Sequence, residues 1–533
     1  MTNATLTPAA QRTSTPRQKK RFWLIVCASV FLVAASTAFY FIREYWPYRY
    51  REIKPMLEND FASQITMSAY RRTYFPNPGF VATGITLRRK AALSFPPIGH
   101  ADQMIVQGRW SDLFLLRRRV QTVEVTGLHL VIPPAGSKAN QADFPPGSSS
   151  DFTGPDTAIA VFKFHNALLE ILNNDGGRLL FPIHELDFTD VQKNKASTYA
   201  LDMQNAKPSG QIFAKGAFGP LQEKDLAATP LSGIFTYTSV NLGDIGDIGG
   251  TLSSSGKFWG TLGAIEAEAF TKTPDFAVDD GKATPVNGAV RCTVNGLNGD
   301  VVLHSIDATT GKTTIHASGV VQGAPKTTNL DIDVKTGRAQ DLMRPFIHDQ
   351  VPVTGAVWLH AHAILTPNKG TDDFLHRLHV IGSFDVPAEY VADPQTEKSL
   401  TAFSQRAQDK QLPDFSKATD QDARENSTDA LSSVKGPVEI RDGVASSKRI
   451  TFQIPGARAE LNGTFAFHGK VVHLVGNLSM ETDISHTATG FKSFLLKPLA
   501  PFFKKKNVGA VIPIAVIGNP GHYQVTQDLS HNK

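Results

Sequence analysis

The residues whose types and spacing come closest to a reactive site are His360 and His362, followed by Asp372, Asp373, His376 and His379. Two histidines two apart share one face of a strand, and with nearby carboxylates they carry the donor set of a zinc-like site. Their neighbours argue otherwise. Val357, Leu359 and Leu365 claim the apolar side of the same segment, which leaves the histidines on a solvated face, and no metal is assigned to them. Other patterns begin like catalytic motifs and break off. Gly311-Lys312-Thr313-Thr314 resembles the end of a phosphate-binding loop, but Ile306 stands where the first glycine belongs and the segment leads into a strand, so a hairpin turn is expected. Gly250 to Lys257 has one residue too many, and Phe258 replaces the required Ser or Thr. His184-Glu185 opens like a zinc-protease helix, yet Phe188 holds the position of the second histidine. No Gly-x-Ser-x-Gly nucleophile elbow occurs. The chain reads as non-enzymatic, with no catalytic residue and no cofactor.

The elements around these residues are mostly strands. Leu330-Asp331-Ile332-Asp333-Val334-Lys335 alternates without error, and Val351, Val353, Val357, Leu359 and Leu365 share one face. Val123 to Val131 alternates as well. Asn174-Asp175-Gly176-Gly177 separates two apolar runs as a tight hairpin, and Asn298-Gly299 and Thr310-Gly311 act likewise. Further on, Ile450, Phe452 and Ile454 alternate with Thr451 and Gln453, and Ala457, Ala459 and Leu461 alternate with Arg458 and Glu460. Phe465 and Phe467 continue that face. Pro455-Gly456, Asn462-Gly463 and His468-Gly469-Lys470 read as the intervening turns. Strict alternation gives every strand one apolar and one polar side, as an antiparallel sheet with one solvated face requires. The apolar side either meets a second sheet in a sandwich or lines an open, curved groove that holds something apolar.

One segment differs from all of this. Phe22 to Ile42 is the only long apolar run, and its 21 residues make about 30 Å of helix, the thickness of a bilayer's hydrocarbon core. Arg12, Arg17, Lys19, Lys20 and Arg21 precede it and no acid appears before Glu44, so the tail stays in the cytoplasm. Phe22 and Trp23 at one end, with Ile42, Tyr45 and Trp46 at the other, read as the membrane anchor, Tyr48 and Tyr50 extending the outer aromatic belt. Ser36, Thr37 and Ala38 resemble a signal-peptide cleavage site, but the run continues to Ile42 and outlasts a signal core, so an uncleaved single-pass anchor is expected. The net charge of +5 comes from 54 basic and 49 acidic residues, and the five basic residues of the tail account for all of it. The neutral remainder argues against nucleic acid as a partner. Cys27 lies in the anchor and Cys292 in a strand, so no disulfide joins them.

The domain reading follows: a basic tail (1–21), the anchor (22–42), a helix and strands (43–132), a Pro/Gly/Ser-rich loop (133–157), a central β-rich region (158–392), a polar linker or helical insertion (393–433) and a C-terminal β region (434–533). Pro55 opens the first amphipathic helix, with Leu57, Phe61 and Ile65 on its apolar face; it either caps the sheet or lies along the membrane. A helix-compatible run from Ser399 to Gln411 falls in the linker. A terminal amphipathic run from Thr489 to Phe503 ends in Lys504, Lys505 and Lys506, placed either at anionic lipid or at a helix C-terminus. The fold class is mainly β: one membrane helix, then a long, mostly antiparallel sheet with a few short helices.

The C-terminal block carries a resemblance. Gly443-Val444-Ala445, the run Ile450 to Phe465, Gly490-Phe491-Lys492-Ser493 and Ile512-Pro513-Ile514-Ala515-Val516-Ile517-Gly518 resemble the C-terminal region of AsmA-like proteins over roughly Val434 to Asp528, with Gly518-Asn519 where the family closes on Gly-Thr. The basic N-terminus, single membrane helix and long β-rich region agree with it. The resemblance implies a bridge-like, chorein-related sheet forming a groove lined by apolar side chains, a bacterial inner-membrane protein whose bulk is periplasmic, and phospholipid transfer serving the outer membrane. Candidate groove residues are Leu330, Ile332, Val334, Val357, Leu359, Ile450, Phe452, Ile454, Ala457, Ala459, Leu461, Phe465 and Phe467. The alternative is a non-catalytic scaffold that contacts periplasmic or outer-membrane assembly proteins.

Overall fold

The computed structural model describes residues 46–134, 158–391, 432–480 and 511–527 apart from short breaks, with residues 137–138 and a few positions between 32 and 40. Among the described residues no helix is long and apolar enough to cross a membrane. Most of the anchor segment, including Phe22, Trp23, Ile42 and Tyr45, lies outside them, as do the helical runs expected at 399–411 and 489–503.

The molecule is mainly β. β1 (Ser63–Thr73), β2 (Gly79–Arg89) and β3 (Gly99–Gln107) form an antiparallel meander. β4 (Arg119–Thr126) and β5 (His129–Ile132) both pair with β3 on one side and β6 (Ala158–Leu172) on the other, so they act as one strand broken at Gly127. Their pairing with β6 is parallel; every other pairing among the described strands is antiparallel. From β6 onward each strand pairs with the next: β7 (Arg178–Val191), β8 (Ser197–Ala206), β9 (Ser209–Phe218) and β10 (Pro230–Asn241). The two-residue β11 (Ile248–Gly249) sits beside the end of β13, and β10 pairs directly with β12 (Thr251–Thr261). The meander continues through β13 (Ala264–Val278), β14 (Thr284–Val294), β15 (Val301–Thr310), β16 (Thr313–Val321), β17 (Thr328–Arg338), β18 (Val353–Leu365) and β19 (Leu378–Val391). It closes with β20 (Ser432–Arg441), β21 (Val444–Ile454), β22 (Ala457–Ala466), β23 (Val471–Met480), β24 (Val511–Gly518) and β25 (Gln524–Gln527). With β4 and β5 sharing a place and β11 set aside, the 25 described strands fill 23 positions of one long mixed sheet. The ladder runs straight across both expected linkers, since β5 pairs with β6 and β19 with β20.

Between residues 46 and 391, the described α-helices that decorate this sheet are short: α1 (Tyr50–Asp60), α2 (Trp110–Phe114), α3 (Ala339–Met343) and α4 (Phe374–Arg377). α1 starts five residues before Pro55, which sits inside it, and Ile65 already belongs to β1. A proline one turn into a helix removes a single i→i−4 bond, and the burial of Ile53 at 5% exposure outweighs that loss. Ile53 and Leu57 pack on Ile65, Phe80, Ala82, Ile85, Val106, Val123 and Val125, so α1 caps the start of the sheet.

Asn462-Gly463 is not a turn. Both residues lie inside β22, and Gly463 adopts a φ of 147°. A Cβ there would overlap the His473 carbonyl of β23. The dipeptide that signals a hairpin in isolation is used here for close strand approach.

Candidate functional site

Neighbours across a ladder project to the same side, so the register shows which side chains share a face. On β17 and β18, Leu330 stands opposite Ala363, Ile332 opposite Ala361 and Val334 opposite Leu359. Val357 follows a bulge and lies against Gly337. The same side continues onto β19 and β20, where Val380 meets Ile440, Gly382 meets Val438 and Phe384 meets Gly436. It then passes to Phe452 of β21 through Val434, and from Ile450, Phe452 and Ile454 to Leu461, Ala459 and Ala457 of β22. Ala459 faces Leu478, Leu461 faces Gly476 and Phe465 faces Val472 on β23. Phe467 lies just past β22 with its ring 5.2 Å from that of Phe465. All thirteen expected groove residues therefore fall on or beside one face.

The candidate groove residues read from the sequence begin at Leu330, yet the ladder extends the face toward the first strands. Ile306 opposes Val290, Val290 opposes Ala269, Phe258 opposes Gly233, and Phe235 opposes Ala214. Leu201 and Phe188 carry the row to Phe162 on β6, and Val125, Met104 and Ala82 carry it to Tyr70 on β1. One apolar face thus spans the sheet.

The two faces differ in exposure. Val334 is 1% exposed, whereas Ile381, on the other side of the sheet, is 54% exposed and Phe270 70%. In β10 and β12 shielding alternates residue by residue, Phe235 and Phe258 being half-buried and Ile234 and Trp259 exposed. Among the described elements, β8 to β10, β12 and β14 to β16 pack substantially only against their ladder neighbours. Their apolar side chains are shielded by one another, and no other described element covers them.

Glycines explain how that is possible. Gly216, Gly233, Gly256, Gly319, Gly382, Gly436, Gly463 and Gly476 all sit in strand interiors on the apolar side. A Cβ at Gly216 would overlap the Ser232 carbonyl oxygen, and one at Gly476 the Glu460 carbonyl oxygen. Interior glycines let a strand bend toward its partner, which is the device by which sheets acquire curvature. The signal was present in the sequence: single glycines at the apolar parity of alternating strands.

The opposite face is exposed and carries most of the cross-strand charge pairs. His360 Nδ1 lies 2.7 Å from Asp333 Oδ1 and His362 Nδ1 2.8 Å from Asp331 Oδ1, each across β17 and β18. Asp372 and Asp373 lie outside the described residues, and His379 approaches Glu439 at 3.3 Å. Among the described residues no three His, Cys, Asp or Glu side chains converge as metal ligands. Lys257 and Arg291 flank Glu268 at 2.9 and 3.3 Å, and the hydrogen bond from Lys257 is the main cause that holds the Glu268 carboxyl below its usual range. Arg449 does the same for Glu460, with Arg458 alongside.

The loop resembling a phosphate binder is a two-residue hairpin between β15 and β16, with Gly311 at a φ of 56°. Its anion site is filled by the chain itself. Lys312 N donates to Asp341 Oδ2 at 2.8 Å, and Thr313 Oγ1 lies 3.1 Å from the same oxygen. Cys292, opposite Leu303 and Ala267 on the apolar face, is a further reactive group. Burial, and secondarily Glu266, pushes its thiol above the ordinary range. The chain matches no known protein-family model and no curated protein.

Proposed function

We propose that this protein is a non-catalytic lipid carrier, its sheet bent about the apolar face into an open trough that shelters acyl chains while headgroups stay in water. The observation that carries this reading is the continuity of one apolar face over 23 strand positions, covered among the described helices only by α1 at its first end and by the short α3, whose Ala339 and Leu342 pack with Val357, Phe384 and Val386. Strands of this length span roughly 35 Å and successive positions add about 4.8 Å, so the trough runs on the order of 100 Å. Each CH₂ moved from water into it contributes about 0.8 kcal/mol, which makes long acyl chains the fitting occupant. The AsmA-like resemblance of the C-terminal block and the apolar segment at 22–42 point the same way, toward an anchored protein of the bacterial inner membrane that passes phospholipid across the periplasm for outer-membrane assembly.

The test is photocrosslinking from Phe452, Leu461 or Phe465, with Ile381 and Val471 on the other face as controls. Phospholipid adducts are expected from the first three positions and not from the controls. Adducts with neither, together with purified full-length protein free of extractable phospholipid, would overturn the reading. A scaffold is the second reading, favoured by Ile234, Trp259 and Phe270 exposed on the polar face; it predicts protein adducts there instead.

A further inference from the structure

The helix-capped end of the sheet carries the most exposed aromatic ring among the described residues. Phe75, in the turn between β1 and β2, is 83% exposed, and Tyr74 beside it is 38% exposed. The turn stands on an aromatic base. Phe75 lies 5.8 Å from Trp110, Trp46 lies 5.7 Å from Trp110, and Tyr74 lies 4.7 Å from Trp46, between ring centroids. Trp46, read from sequence as an outer-belt residue, is itself 1% exposed and packs inside the protein. The exposed aromatic surface next to it belongs to the hairpin turn instead.

Position and charge say what this turn meets. Three residues separate Ile42, the end of the apolar segment, from Trp46, a span of at most about 14 Å. The rim formed by Tyr74, Phe75 and Trp110 is therefore where the chain arrives from that segment. Arg51, Arg71, Arg72 and Arg109 are exposed around it. Glu52 is exposed too, but Asp112 is buried, and Glu58 is engaged by Lys54 at 3.8 Å and by the Ile65 N–H at 3.0 Å. Exposed aromatics ringed by arginine suit the headgroup layer of an anionic bilayer, where each basic residue near the surface contributes attraction that salt screens.

We propose that this rim is a membrane-interfacial surface: Phe75 and Tyr74 enter the headgroup layer, and Arg51, Arg71, Arg72 and Arg109 meet lipid phosphates. The proposal rests on reading 22–42 as the anchor and adds a second, side-on contact that fixes how the sheet stands on the bilayer. With that rim in the interface, α1 lies at the membrane and the unfilled part of the apolar face begins just beyond it.

The experiment uses the full chain in lipid nanodiscs, with Cys27 and Cys292 replaced by serine and a nitroxide placed through Phe75→Cys or, as control, Phe270→Cys. Relative accessibility to oxygen and to a water-soluble nickel complex reports the label's surroundings. A several-fold higher oxygen-to-nickel ratio is expected at position 75 than at 270, larger in phosphatidylcholine mixed with phosphatidylglycerol than in phosphatidylcholine alone. Arg71→Ser, Arg72→Ser and Arg109→Ser together should abolish the dependence on phosphatidylglycerol. Equal ratios at 75 and 270 in an inserted chain would overturn this proposal while leaving lipid crosslinking in the trough untouched. A chain that does not enter nanodiscs overturns it together with the anchor reading.

Discussion

β1 to β4 and the strands from β8 to β16 present the same kind of apolar face, but among the described residues only the first group is covered. Under α1 the face reaches interior density, with Phe80 at 1% and Ala82 at 0% exposure. Between β8 and β16 Leu201, Phe235, Phe258 and Val290 remain half-buried, with no layer above them among the described residues. Composition does not separate the two regions, since both alternate aliphatic or aromatic with polar residues. Coverage does. A contiguous apolar surface left uncovered marks a place where something binds, and Ile53 and Leu57 of α1 show which chemistry the face accepts.

That contrast can be broken directly. Ile53→Ala should cost about 2–4 kcal/mol, because the packed cluster cannot collapse around the missing atoms, and denaturant unfolding read out near β1 and β2 would register it. Phe235→Ala should cost about 1 kcal/mol, its ring being only half shielded, while reducing the phospholipid that co-purifies. Equal stability losses at the two positions would mean that the middle is filled and the contrast false. Gly476→Val should cost about 1–3 kcal/mol by forcing β22 and β23 apart; a variant as stable as the parent, carrying undiminished lipid, would show that close approach there does not shape the face. Cys292 gives a reading without large perturbation. Because burial raises its pKa, less thiolate is present at a given pH than in a free cysteine, so in a Cys27→Ser background alkylation should rise toward higher pH. Delipidation should quicken that alkylation, whereas a rate indifferent to lipid would place the thiol outside the occupied region.

Much of this was legible in the chain because period-two alternation is a local signal. Leu330, Ile332 and Val334 declared their face without help, and the hairpin at Gly311 was evident from the strands on either side. The rest depended on pairing partners far away in sequence. Gly463 looked like a turn residue because Asn-Gly usually is one, and only the His473 carbonyl across the ladder explains its place in β22. Pro55 looked like a helix start because the buried surface that draws Ile53 in, Phe80 and Ile85, is supplied by β2. The part of the face from β8 to β16 went unnamed, since its apolar positions are interrupted by Gly216, Gly233 and Gly256, residues whose value lies in what they allow a neighbour to do.

The smallest expected effect concerns the residues that look most reactive. His360 and Asp333 are 55% and 45% exposed, and His362 and Asp331 45% and 62%. Pairs this wet are screened by solvent and lose side-chain entropy on forming, so each contributes between about 0 and 1 kcal/mol. His360→Ala and His362→Ala should therefore leave the unfolding midpoint nearly unchanged and co-purified phospholipid the same, since both side chains lie on the face opposite Leu359 and Ala361. A loss of bound lipid would mean that the polar face takes part in binding, and the distinction between the faces would fail. Stoichiometric zinc in the parent protein, lost in the double variant, would instead make these histidines a metal site and reopen a hydrolytic role. Two faces of one strand, one residue apart, are thus expected to differ in function as sharply as the covered and uncovered ends of the sheet.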